Sequence, residues 1–185
     1  MSVDSMHFES YYILVFVDLF SRRLMTFPFR ALTGAKVAES IRQVRHQLGD
    51  LDVLHTDRGT EFVNVSVARL ATELQFKHIK TTAQQPSKTS IPERRANVAL
   101  SFLFLLLFFY LLLLNLRFIR TIRKRLGRMR SANEFRNVPA AMERVTYGIN
   151  HSPSRAIGGR IPSSVTSELE IECVRLSGSF RFCLL

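Results

Sequence analysis

A mixed α/β sheet covered by helices is the fold class that the sequence predicts, and three observations predict it. Tyr11 to Val17 (YYILVFV) is a short continuous run of apolar, β-branched and aromatic residues, the pattern of a strand buried on both faces. Val37, Ile41, Val44 and Leu48 step by four, three and four, which marks one face of a helix that Gly49 ends. Leu51 to Thr56 then reads as another strand, followed by a second helical face at Val67, Leu70, Ala71 and Leu74. Strands first, then strands alternating with helices, describe one sheet with helices laid over it.

The elements follow in order. The extended segment at the amino terminus carries Asp4, and Tyr11 to Val17 comes next. Ser21-Arg22 supplies the turn into Arg23 to Phe29 (RLMTFPF), where Pro28 makes the strand a sheet edge or sends it out early. Thr33 begins the first helix, and Phe76 to Lys80 is a last short strand.

The 185 residues, 21.3 kDa, suffice for one ordinary core. Twenty-six Lys and Arg against fifteen Asp and Glu give a net charge of +11, which favours a polyanionic partner, a nucleic acid or an anionic membrane surface. Two cysteines, Cys173 and Cys183, cannot build a disulfide framework or, with five scattered histidines, a four-ligand zinc site, so a reduced compartment is expected. Asp4, Glu9, Asp18, Arg22 and Arg23 interrupt the apolar residues among the first twenty-five, which lack the core and cleavage site expected of a secretory signal.

Charge and apolarity concentrate in one region. Nine Lys or Arg and no acid lie between Arg94 and Asn133. Within it, residues 96–116 are uncharged, and Phe102 to Leu114 contains only eight Leu, four Phe and one Tyr. Taken alone, this run has the length of a membrane-crossing helix, about 30 Å at 1.5 Å per residue. Set in an α/β domain, residues 101–125 read as an apolar and basic insertion, of the kind that a retained intron would encode, projecting as a helix from a core already complete without it.

Three acids occupy special places: Asp4 in the first extended segment, Asp57 at the end of the strand reaching Thr56, and Glu93 at the start of a helix opened by Ile91-Pro92. On residue type alone two readings stand. They are solvated acids at strand ends and a helix N-terminus, or they are hard oxygen donors that gather two divalent cations for phosphoryl transfer.

Val53-Leu54-His55-Thr56-Asp57-Arg58-Gly59-Thr60-Glu61-Phe62 resembles the second-aspartate motif of retroviral and retrotransposon integrase catalytic cores. Ile13 to Arg22 (ILVFVDLFSR) resembles their second strand and turn. Thirty-five residues separate Asp57 from Glu93, the family's signature spacing, and Ile91-Pro92-Glu93-Arg94 stands where the family has an apolar residue, Glu and Arg. Asn137 to Val165, with Tyr147, Asn150-His151-Ser152, Ile157-Gly158 and Ile161-Pro162, is similar to the stretch after the catalytic helix in gypsy and Maverick integrases. The likeness covers about residues 1–97 and 126–166, a truncated and interrupted core, with 167–185 an unassigned tail.

The resemblance implies a ribonuclease-H-like mixed sheet flanked by helices over 1–166, interrupted at 101–125. It implies Asp57 and Glu93 as second and third metal ligands, and Asp4, fourteen residues ahead of Asp18, as the first. Asp18 itself falls on the strand and turn. Mg2+ or Mn2+ would serve transesterification or hydrolysis of a DNA phosphodiester. Lys77, Lys80, Lys88, Arg94 and Asn97 are candidate nucleic-acid contacts, whereas His55 and His78 read as strand residues. Two departures from the family stand out: Ala96 replaces an Asn that reappears one place later as Asn97, and Pro92 precedes the Glu. Three function classes follow. The first is a transposable-element polynucleotidyl transferase in the nucleus, with DNA as partner and self-association expected. The second is an inactive remnant that binds nucleic acid. The third is a single-pass membrane protein through 96–116.

Overall fold

The computed structural model describes residues 1–80, 113–135 and 137–165. Five strands form one sheet in the order β3-β2-β1-β4-β5: β1 Ser2–Phe8, β2 Tyr11–Val17, β3 Leu24–Phe29, β4 Val53–Thr56 and β5 Lys77–Lys80. The first three make an antiparallel meander, and β4 and β5 join parallel to β1 and to each other. Parallel neighbours need crossovers, which here are helices α1 Gly34–Leu48 and α2 Val65–Glu73. Helices α3, residues 113–131, and α4, Val138–Asn150, complete the secondary layers. The mixed sheet flanked by helices is therefore present as expected, with β3, which carries Pro28, at the sheet edge.

The period of two in β2 divides two cores. Leu14 and Phe16 point to one face with Val3 and Met25, where Val37, Ile41 and Val44 of α1, Val67 and Leu70 of α2, and Phe62 cover them. Ile13, Val15 and Val17 point to the other with Met6 and Leu24, under Ile119, Ile122 and Leu126 of α3 and Ala141, Met142 and Val145 of α4. A strand with a helical layer on each face reads as a continuous apolar run because neither face meets water.

Local sequence stops and starts these elements. Thr33, Asn64 and Asn137 are N-caps whose side chains accept from backbone N–H groups three residues on, and Gly49 closes α1 at φ 89°. Asp18 caps the β2–β3 turn, its Oδ2 accepting from Ser21 N at 2.9 Å and Ser21 Oγ at 2.6 Å. At the end of α4, the buried Asn150 side chain accepts from Leu24 N at 2.8 Å and donates to Leu24 O at 2.7 Å, joining helix to sheet.

The expectation that residues 101–125 stand outside the fold is corrected here. Residues 101–112 lie outside the described residues, but 113–125 belong to α3 and supply the second core. Leu114, Ile119, Ile122 and Leu126 are buried, and Phe118 and Met129 pack beside them. After the Leu/Phe tract the apolar residues recur every three or four positions with arginines between, which is an amphipathic period. The tract had concealed that period by running directly into it. The join from Leu100 to Leu126 would remove three of these four buried side chains.

Helix α3 has a definite course. Asn115 Nδ2 donates to Ser2 Oγ at 2.7 Å, and Arg130 pairs with Glu9 at 3.1 Å. Fifteen helical residues span about 22 Å and seven strand residues about 23 Å. The helix thus follows β1 from end to end, in the same direction. Among the described residues no helix is long and apolar enough to cross a membrane, and most of 96–116 lies outside them.

Candidate active site

The register between β1 and β4 builds the site. Ser2 pairs with His55 in parallel, so Asp4 and Asp57 each lie two residues beyond that pair on neighbouring chains. An offset of two returns the side chain to the same face, and neighbouring strands run about 4.8 Å apart. Two carboxylates therefore meet where β4 ends. Asp4 Oδ1 accepts from the backbone N of Ser5 at 2.7 Å, and Asp57 Oδ1 accepts from that of Gly59 at 2.9 Å. The second oxygen of each accepts no hydrogen bond from a described residue.

Burial raises the Asp4 pKa above the ordinary aspartate value, the Ser5 N–H opposes this, and the negative charges of Asp57 and Glu61 add to the rise. Two hard oxygen donors that repel one another fit a divalent cation, whose charge relieves the repulsion. Among the described residues no three His, Cys, Asp or Glu side chains come close enough to hold a metal ion by themselves. Glu93, expected as the third ligand, lies outside the described residues, as do Lys88, Arg94 and Asn97.

The two remaining expected contacts are separated. Lys80 pairs with Thr56 at the site end of β5, next to Asp57, whereas Lys77 pairs with Val53 three residues away at the other end. Only Lys80 stands beside the carboxylates. His78 lies on β5 with its Nε2 2.9 Å from Thr56 Oγ1, which donates to the Asp57 carbonyl at 2.8 Å. Burial lowers the His78 pKa, and Lys80 lowers it further, which favours the neutral ring beside Thr56. His55 is likewise a strand residue lowered by burial.

Two participants escape a reading of the sequence for acids at strand ends. Ser5 Oγ donates to Glu61 Oε1 at 2.9 Å across 56 residues, and Glu61 stands within the same run as Asp57. Its place in that run was the one available signal. The contact depends on β1 lying beside β4, which the local pattern does not encode.

Residues 1–86 match the family model of the integrase core domain. A transposon-derived protein of Caenorhabditis elegans is 27% identical over 148 residues, 80% of this chain and 43% of the relative. The chain thus spans less than half the length of that relative. Among solved structures, the catalytic core domain of BIV integrase superposes with a TM-score of 0.66 at 19% identity, covering 93% of this chain and 95% of that one. A simian T-cell lymphotropic virus intasome, solved in complex with a PP2A regulatory subunit, gives a TM-score of 0.60 at 19% identity, covering 81% of this chain and 47% of that one. At such identities the structures speak for the fold alone.

Proposed function

We propose, for a chain whose first 86 residues match the integrase core domain, a transposable-element polynucleotidyl transferase that acts on DNA with Mg2+ or Mn2+. The observation that carries this reading is the meeting of Asp4 and Asp57 at the end of the parallel β1–β4 pair. In this reading Asp4 and Asp57 would hold the metal, each by the oxygen that accepts no hydrogen bond from a described residue, and Glu93 would be the third ligand. A bound divalent cation would supply charge neutralisation at a phosphodiester and activation of a water or 3′-hydroxyl. Backbone N–H groups of Ser5 and Gly59 fix the two carboxylates, so little rotamer freedom is lost when they engage. Lys80 and the basic face of α3 orient the polyanion by its phosphates. The integrase reading places the protein in the nucleus and entails self-association on DNA.

The test is an oligonucleotide cleavage and strand-transfer assay in Mg2+ and in Mn2+. Asp57→Asn keeps the shape and removes one charge, and it is expected to lower the rate at least a hundredfold with the fold intact. Metal-dependent activity that persists in that variant sinks the assignment.

A second reading, nucleic-acid binding without chemistry, is favoured by one observation. Helix α3 follows β1 past Asp4, yet residues 113–131 carry seven Lys or Arg and no acid. Retained DNA binding with no turnover in either metal would select this reading.

A further inference from the structure

The ladder that joins β1 to β4 has one register pair, Ser2 with His55, and does not extend to the carboxylates two residues on. Something else must set the distance between Asp4 and Asp57. The next link beyond that pair is the hydrogen bond from Ser5 Oγ to Glu61 Oε1, 2.9 Å long. Glu61 belongs to the loop that Asp57 opens, and Ser5 follows Asp4 directly in β1. One bond therefore ties the carrier of one aspartate to the carrier of the other.

Both ends of that tie are firmly mounted. Phe62, next to Glu61, is only 1% exposed in the first core, and its backbone N donates to Gly59 O at 2.9 Å. The Glu61 carbonyl accepts from Asn64 Nδ2 at 2.7 Å, the same Asn64 that caps α2. The Glu61 side chain folds back over the turn: a Cβ added to Gly59 would lie 2.6 Å from Glu61 Oε2 and 2.7 Å from Cδ. A glycine is needed there for close approach of the carboxylate, and a methyl group in its place would push that carboxylate away from Ser5.

We propose that Glu61 is a positioning residue, which braces the Asp57 loop against β1 through Ser5 and so sets the separation of Asp4 and Asp57. The proposal rests on the metal-dependent reading of that pair. It is a role for the acceptor oxygen of Glu61, with its negative charge incidental. The role separates three kinds of variant. Glu61→Gln keeps an acceptor for Ser5 and loses the charge. Glu61→Ala and Ser5→Ala each delete the bond, and Gly59→Ala displaces it sterically.

Two measurements on the full chain test it. The first needs no metal: hydrogen exchange at the Gly59, Phe62 and Val63 amides. Exchange is expected to quicken on the order of tenfold in Ser5→Ala, Glu61→Ala and Gly59→Ala, and to stay near wild type in Glu61→Gln. The second is Mn2+ binding by electron paramagnetic resonance. The same three variants are expected to bind on the order of tenfold more weakly, as when other supporting partners of a metal site are lost, with Glu61→Gln again near wild type. Unchanged exchange in both Ser5→Ala and Glu61→Ala overturns the proposal. So does Mn2+ binding that falls as far in Glu61→Gln as in Glu61→Ala, since the charge would then be what matters. Wild-type protein that binds no Mn2+ would refute the metal reading, while the exchange measurement still decides the brace.

Discussion

Asp4 is the residue where the proposed function and stability oppose each other. Burial and the neighbouring charges of Asp57 and Glu61 raise its pKa, so the folded protein holds that proton more tightly than the unfolded chain. Stability then falls as pH rises from the ordinary aspartate range through the raised value, and above that value the ionised Asp4 destabilises the fold. Asp4→Asn is expected to raise the thermal midpoint at pH 7 without metal, and the gain should vanish once the pH falls below the ordinary aspartate range. Mg2+ is expected to raise the midpoint of the wild type and to leave that of Asp4→Asn nearly unchanged. Calorimetry across pH, with and without metal, measures both. Asn150 illustrates a residue of the structural kind, with two buried hydrogen bonds to Leu24. Asn150→Ala orphans both backbone groups and is expected to cost about 2–4 kcal/mol in denaturant unfolding. The strand-end places of Asp4 and Asp57 are legible in the sequence, and the metal role expected of them comes from the family resemblance. Glu61 and Ser5 are not legible there, because their contact spans 56 residues and exists only once β1 and β4 are neighbours.

At the scale of elements, legibility followed pattern contrast. β2 was plain because every residue from Ile13 to Val17 is buried, so apolarity marks it without alternation. α1 is plain because Val37, Ile41, Val44 and Leu48 recur at steps of four, three and four up to Gly49. α3 was misread because its amphipathic period begins inside a tract of large apolar residues, where contrast is lost. The physical consequence can be tested. Ile122 is fully buried between α3 and the sheet, so Ile122→Ala is expected to destabilise the protein by about 2–5 kcal/mol. Deleting residues 101–125 removes Leu114, Ile119 and Ile122 together, and near-ultraviolet circular dichroism should show loss of fixed packing. A deletion variant that unfolds as cooperatively as the full chain would restore the view that this segment is foreign to the fold.

For the molecule as a whole, the charge fits the polyanionic partner of the proposed function. The net charge is +11, and α3 presents exposed Arg117, Arg120, Arg123, Lys124 and Arg128 along a helix that follows the strand bearing Asp4. Such a surface binds by neutralising phosphates, so affinity for duplex DNA should fall steeply with salt whatever the sequence. Arg120→Glu with Arg123→Glu is expected to weaken binding and to flatten the slope of log affinity against log salt by about 2, one for each lost phosphate contact, measured by fluorescence anisotropy. An unchanged slope would place the DNA elsewhere.

The central claim, that Asp4 and Asp57 form a divalent metal site of an integrase core, is tested most directly by calorimetric titration of the wild-type chain and Asp57→Asn with Mn2+. Saturable binding in the wild type that is lost in Asp57→Asn, with both proteins equally folded, is the result predicted. Equal binding in the two, or none in the wild type, contradicts the claim.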